Sequence, residues 1–240
     1  RRQRLTAAAL PAQVTALGRD LLAGEAYYEA VADGGRAERL AGAAAHIAVR
    51  ADGYRATAET YANAGNGVAL KTTAEIDYDG FQRNTVALSG VSGRTLDRLT
   101  LVIPFKDAEV PLWHICTADS IRYNPTGALP KGEGLLWDGT QLYRKSEFLD
   151  PMMEPQVVPY IWLGAERRGL SWCINSTCGF KLDAKKPSVR IVREKGVVRV
   201  EIDIVNRPVR LKDGHAFAFA FEATPVKMPD PALARHFQAS

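Results

Sequence analysis

Two-residue alternation, closed at intervals by glycine turns, is what most restricts this chain. From Leu70 to Tyr78 one face carries Leu70, Thr72, Ala74, Ile76 and Tyr78, and the other carries Lys71, Thr73, Glu75 and Asp77. Successive side chains of a strand point to opposite faces, so this run reads as a half-buried strand. Asp79-Gly80 follows, and Phe81 to Leu88 resumes the pattern. Asp-Gly between two such runs predicts a hairpin over 69–88 with a type I′ turn, whose two central residues need positive φ. Val189 to Arg193, Glu194-Lys195-Gly196 and Val197 to Val205 predict a second hairpin. In its second arm Val198, Val200, Ile202 and Ile204 are expected inward, and Arg199, Glu201 and Asp203 outward.

Other segments extend the pattern. Leu99 to Phe105 is largely apolar on both faces, which predicts a strand covered on both sides. Ala216 to Phe221 sets Phe217, Phe219 and Phe221 on one face and small alanines on the other, a face that lets a neighbour approach closely. Ala45 to Ala51 and Arg55 to Tyr61 are weaker strand candidates. Helix signals are few: Pro11 and Gly18 interrupt the Ala/Leu-rich stretch from Leu5 to Leu22, and Pro231 to Phe237 has room for one or two turns. The expected class is all-β, a large antiparallel β-sandwich of supersandwich type with one long irregular loop region. Residues 1–12, with Arg1, Arg2 and Arg4, are expected to be an N-terminal tail. The sandwich domain then spans 13–227, and 228–240 form a C-terminal tail or the start of a linker.

Composition supports a folded core and narrows the partners. Of 240 residues, 46% are hydrophobic and 24% charged, which excludes disorder and a disulfide mini-protein. A net charge of +4, dispersed along the chain, argues against nucleic acid. No apolar run approaches the roughly 20 residues of a spanning helix, so no membrane partner is expected. Any export leader is expected to have been removed or to lie outside these 240 residues.

Ala118 to Pro159 departs from the alternation, with five prolines and four glycines. Loops this long tend to be functional or to cover another surface. Every tryptophan in the chain lies between residues 113 and 172. Flat aromatic faces suit the apolar face of a sugar ring, so Trp113, Tyr123, Trp137, Tyr160, Trp162 and Trp172 are the carbohydrate-contact candidates. The competing reading is that these rings supply packing area.

Reaction chemistry is sparse. Glycoside hydrolysis needs two carboxyls at a set separation. Glu201 with Asp203 and Glu75 with Asp77 share strand faces, but alternating charges usually mark a strand's wet side. No nucleophile elbow, P-loop, dinucleotide fingerprint or H-E-x-x-H run is present. His46, His114, His215 and His236 are scattered. His114, Cys116, Cys173 and Cys178 together make a Cys₃His count, yet the first pair lacks the usual ligand spacing. A Cys173–Cys178 bridge and three free thiols are both preferred to a metal, and no cofactor is expected. A bridge would suit an extracellular or periplasmic protein. Asn175-Ser176-Thr177 fits the glycosylation sequon.

Val158-Pro-Tyr-Ile-Trp-Leu-Gly164 followed by Arg168-Gly-Leu-Ser-Trp172 resembles the "pyiWlG…rGLsW" stretch of the N-terminal β-sandwich domain of glycoside hydrolase family 123-like proteins and their uncharacterised relatives. Ile76-Asp-Tyr-Asp-Gly80 is similar to that group's "eyDG" hairpin, Leu99 to Phe105 to its "leIPl" strand, and Ala223-Thr-Pro-Val-Lys227 to its "aTPvKp" exit segment. Ala16-Leu-Gly-Arg-Asp20 agrees more weakly, so the matches run from about Gln13 to Lys227. Residues 24–45 match nothing in the group. Cys173 and Cys178-Gly-Phe stand where relatives often carry aromatic or acidic residues.

The resemblance implies a sandwich that precedes a (β/α)₈ catalytic barrel in hydrolases of acetamido sugars, whose adjacent Asp-Glu pair lies on the barrel. The exit segment would lead into such a barrel, which is expected outside these 240 residues. No Asp-Glu dipeptide occurs in this chain, so no catalytic residue is carried over. The first expectation is therefore a non-catalytic domain that packs against or shapes a saccharide site, with a glycan or a downstream barrel as partner. A stand-alone glycan-binding module and a structural, self-associating domain are the alternatives.

Overall fold

The computed structural model describes residues 2–42, 48–51, 54–116, 124–139 and 157–226. The expected all-β class holds: three antiparallel sheets pack together, with a short 3-10 turn at Asp107–Glu109. With strands numbered in chain order, the larger sheet runs β13 (Thr126–Ala128), β12 (Leu112–Cys116), β15 (Tyr160–Ala165), β16 (Arg168–Cys173), β20 (Ala216–Thr224), β10 (Gln82–Ser89), β9 (Ala69–Asp77), β8 (Arg55–Asn63) and β6 (Ala41–Gly42). A further strand, β7 (Ala48–Ala51), also pairs with β8. The smaller sheet runs β14 (Gly134–Asp138), β17 (Val189–Glu194), β18 (Val197–Val205), β11 (Thr95–Lys106), β4 (Tyr27–Ala32) and β5 (Glu38–Arg39), with β19 (Val209–Arg210) beside β11. The third sheet is β1 (Arg2–Leu5), β2 (Pro11–Ala16) and β3 (Arg19–Asp20).

The two larger sheets bury one continuous core between them. Phe217, Phe219 and Phe221 face inward from β20, as their spacing requires, and Tyr28 of β4 meets Phe217 edge-on at 6.5 Å. Val198, Val200, Ile202 and Ile204 face them from β18. Rings packed edge-on, with centroids 5–7 Å apart, add to the area they bury.

Both predicted hairpins form, but the turn at 69–88 is not the expected type I′. At 69–88 the Gly80 amide donates to the Asp77 carbonyl (2.8 Å) and the Asp77 amide to the Phe81 carbonyl (2.9 Å). Only Gly80, at φ +84°, is left-handed there. The connection is thus a three-residue loop ending in a left-handed glycine rather than the expected type I′ turn. The primed geometry appears instead between β17 and β18, where Lys195 (φ +51°) and Gly196 (φ +79°) are both left-handed and Glu194 pairs with Val197.

β11 is buried from Leu99 to Phe105, as its composition predicts. It sits between β18 and β4. Pro104 is tolerated in this central strand because its carbonyl, and hence its missing N–H, faces Ala23 beyond the end of β4.

The amino terminus differs from expectation. Residues 2–12 are not a tail: β1 pairs along β2, and Ala9 and Leu10 are fully buried. The Ala9 carbonyl accepts from the side-chain amides of Gln82 (2.7 Å) and Asn84 (3.1 Å) in β10. Buried amides need such partners, so this pair clamps the third sheet onto the larger one. A second clamp is Glu109 in the 3-10 turn, which receives Arg19 of β3 and Arg168 of β16. Within the expected irregular region, residues 126–128 and 134–138 are strands that extend one edge of each sheet. Tyr123, Tyr143, His46, His236 and the 228–240 segment lie outside the described residues.

Candidate functional site

The six aromatic candidates separate by burial. Trp172 is 2% exposed, Trp137 7% and Trp113 8%. Trp172 stacks on Phe219 in the core, and Trp113 meets Trp137 edge-on at 5.6 Å where the two sheets close at one end. These three rings offer no open face to a sugar; packing claims them, because each falls on the inward register of its strand. Tyr160 and Trp162 differ. They are two apart on β15, half-buried, and point to the outer face of the larger sheet.

Register determines what surrounds them. Cys116, Tyr160, Cys173, Ala220, Arg83 and Glu75 are cross-strand partners in sequence from β12 to β9. The neighbouring row is His114, Trp162, Ser171 and Glu222. Side chains directly opposite in neighbouring strands touch, so these rows form one continuous surface.

Trp162 is fixed in place. Gly164 and Gly169 pair across β15 and β16, and the indole lies over both: a Cβ at Gly164 would fall 2.6 Å from the ring, and one at Gly169 closer still. Only glycine allows that approach. The indole Nε1–H donates to the Thr224 hydroxyl (3.1 Å) on β20. His114 packs against Tyr160 at 5.9 Å and lies 3.3 Å from the Cys116 sulfur. Tyr160 shares a hydrogen bond with Ser171, and burial raises the pKa of its phenol.

Beside this platform lies a groove of about 290 Å³ whose floor includes Ala218, Ala220 and Cys173, with Arg83 and Asn175 among its lining. The alanine face of β20 thus does let a cleft form. Burial, then the charge of Glu222, pushes the Cys173 thiol up to about 11, so it is protonated at neutral pH. Burial also raises Cys116. The three thiols are free, and no cluster of three metal-ligating side chains occurs among the described residues.

The acidic pairs also separate. Glu75 and Asp77 stay on a wet face, held by Arg55, whose side chain is 49% exposed. Asp203 was expected outward and wet, yet it is 2% exposed. Arg190 reaches both of its oxygens (2.9 and 3.1 Å) and the Thr100 hydroxyl donates to it at 2.7 Å. Glu201 accepts from Arg190 and Arg199. Burial works against the Arg190 charge, but Asp203 and Glu201 outweigh it and raise its pKa. With every oxygen committed to a donor, the pair has the hydrogen bonding of a structural lattice rather than of an acid and base awaiting substrate.

Sequence reading did not find the lattice, the Glu109 clamp or the glycine bed. Only the glycines left a signal, as Gly164 and Gly169 flank the β15–β16 turn. No helix among the described residues is long and apolar enough to cross a membrane. No family model matches the chain, and no curated protein matches it.

Proposed function

We propose that this chain is a non-catalytic β-sandwich domain of a carbohydrate-active enzyme, similar to the amino-terminal sandwich of glycoside hydrolase family 123-like proteins. In this reading the outer face of its larger sheet, around Trp162 and Tyr160, holds or flanks a saccharide, in an extracellular or periplasmic setting.

One observation carries the reading. Three of the segments that bear the resemblance converge on a single indole: Trp162 belongs to the first, Gly169 to the second and Thr224 to the exit segment. A tryptophan bedded on two glycines, hydrogen-bonded at its nitrogen and half-exposed is a pre-oriented flat apolar surface. Ordering it costs little on binding, because its rotamer is already fixed. Glu222 and His114 supply polar atoms in the same row for the edges of a ring.

A glycan array followed by calorimetry on the strongest hit tests this. Trp162→Ala should weaken binding at least tenfold, and purified protein should not turn over chromogenic N-acetylhexosaminides. Binding that is indifferent to Trp162→Ala removes the platform. Turnover that survives purification removes the non-catalytic assignment.

A further inference from the structure

The outer face of the smaller sheet carries a second, chemically different concavity. It is a depression of about 260 Å³ whose lining includes Glu29, Arg98, Thr100, Arg190, Arg199 and Glu201. Four adjacent strands build it: Glu29 from β4, Arg98 and Thr100 from β11, Arg199 and Glu201 from β18, and Arg190 from β17. Its floor is rigid, because Arg190 is locked onto buried Asp203 and Asp203 onto Thr100.

The donors and acceptors do not balance. A guanidinium has five N–H groups. Arg190 commits three of them, Arg199 two and Arg98 one. On the acceptor side both oxygens of Glu201 and of Asp203 already accept, which leaves Oε2 of Glu29 and the hydroxyl of Tyr27, which also lines the depression. Arg98 is the least committed. Its single bond goes to Glu29 (2.7 Å), and its Nε is shielded from solvent with no acceptor among the described residues. The side chains of Arg98 and Arg199 are 41% and 27% exposed, so their remaining N–H groups are open to the depression. A neutral polyol brings as many donors as acceptors and would set some of its own hydrogens against these N–H groups. A group that only accepts fits better, and guanidiniums bind planar or tetrahedral oxyanions through paired N–H bonds.

We propose that this depression binds an oxyanion, a carboxylate or sulfate, with Arg98 and Arg199 as its ligands and the Arg190–Asp203 pair as a fixed floor. The site is independent of the Trp162 platform, which lies on the outer face of the other sheet.

Side-chain ¹⁵N–¹H spectra of the full chain, titrated with sodium sulfate and with glucuronate at constant ionic strength, test it, with glucose as the neutral control. The expected result is a saturable shift of the Arg98 and Arg199 guanidinium Nη–H signals with both anions and none with glucose. Affinity should fall at least tenfold in Arg98→Met and stay unchanged in Trp162→Ala. Shifts that do not saturate, that chloride reproduces, or that persist undiminished in Arg98→Met overturn the site. Should Arg98→Met fail to fold, Arg98→Lys keeps the stem and charge and must still lose affinity severalfold. A uronate-bearing oligosaccharide that binds more tightly than glucuronate assigns the oxyanion to an acidic glycan, and equal binding assigns it to a small molecule.

Discussion

Glu75 and Asp77 on β9 and Glu201 and Asp203 on β18 are written identically: an acid, an apolar residue and an acid on one strand face. Their fates are opposite. Asp77 keeps about a third of its side chain in water beside an exposed arginine, while Asp203 is sealed between Thr100 on one flanking strand and Arg190 on the other. What differs is not the acid but its neighbours. β18 lies between strands that supply a hydroxyl directly opposite Asp203 and a guanidinium opposite Glu201 that reaches Asp203 diagonally, and these close over the carboxylate. An alternating charge pattern therefore fixes which face a residue occupies, but not whether that face is wet.

The sharpest way to break this contrast is to delete each acid. Asp203→Ala removes two of the three hydrogen bonds of half-buried Arg190 and leaves Glu201 as its remaining partner, so unfolding free energy should fall by about 3–5 kcal/mol. Chemical denaturation measures this, and a loss below about 1 kcal/mol would return Asp203 to the class of its counterpart.

Glu109 extends the comparison to an acid that lies outside any alternating pair. Hydrogen bonding from Arg19, more than offsetting burial, and then from Arg168 holds its carboxyl below the ordinary value of 4.5. A depressed carboxyl stabilises the fold above its unfolded pKa, and that contribution is lost as pH falls through the folded one. Glu109→Gln should thus cost about 1.5–3 kcal/mol at neutral pH, the scale of hydrogen bonds to a charged group. The difference from wild type should shrink below pH 4.5, which melting curves from pH 7 to pH 3 would show. A gap that stays constant with pH contradicts the charged clamp.

Gly169→Ala carries the comparison to the other outer face, where cover comes from an aromatic ring instead of arginines. The added methyl strikes the Trp162 indole, so stability should fall by about 1–3 kcal/mol, the range for overpacking. Saccharide affinity should fall with it, and an unchanged tryptophan fluorescence spectrum would show that the ring never rested there. Asp77→Ala closes the series. Its partner is exposed and solvent-screened, so the expected loss is below about 1 kcal/mol. A larger loss in denaturant unfolding would erase the distinction between the two acid pairs.

Local chemistry was legible where backbone and period decide. The hairpins at 69–88 and 189–205 and the inward phenylalanines of β20 follow from two-residue spacing alone. The turn types did not follow. Lys-Gly took the primed geometry that Asp-Gly was expected to have, since loop length and strand register select the turn along with residue preference. The buried tryptophans were ambiguous for a related reason. Trp162 and Trp172 occupy neighbouring strands of one hairpin, and only the cross-strand register shows that one faces out and the other in. The basic amino terminus looked like a solvated tail because the buried amides of Gln82 and Asn84 that anchor it lie some seventy residues away.

Sequence by itself determined the all-β class, the two hairpins, the central apolar strand and the facing of most side chains, because alternation follows from the geometry of one extended chain. Tertiary structure alone decided which outward residues are covered: Asp203 beneath Arg190, Trp162 on its glycines, Glu109 between two arginines. Those environments are assembled from strands far apart in the chain, and the free energy of a polar or aromatic side chain depends on them more than on its own strand.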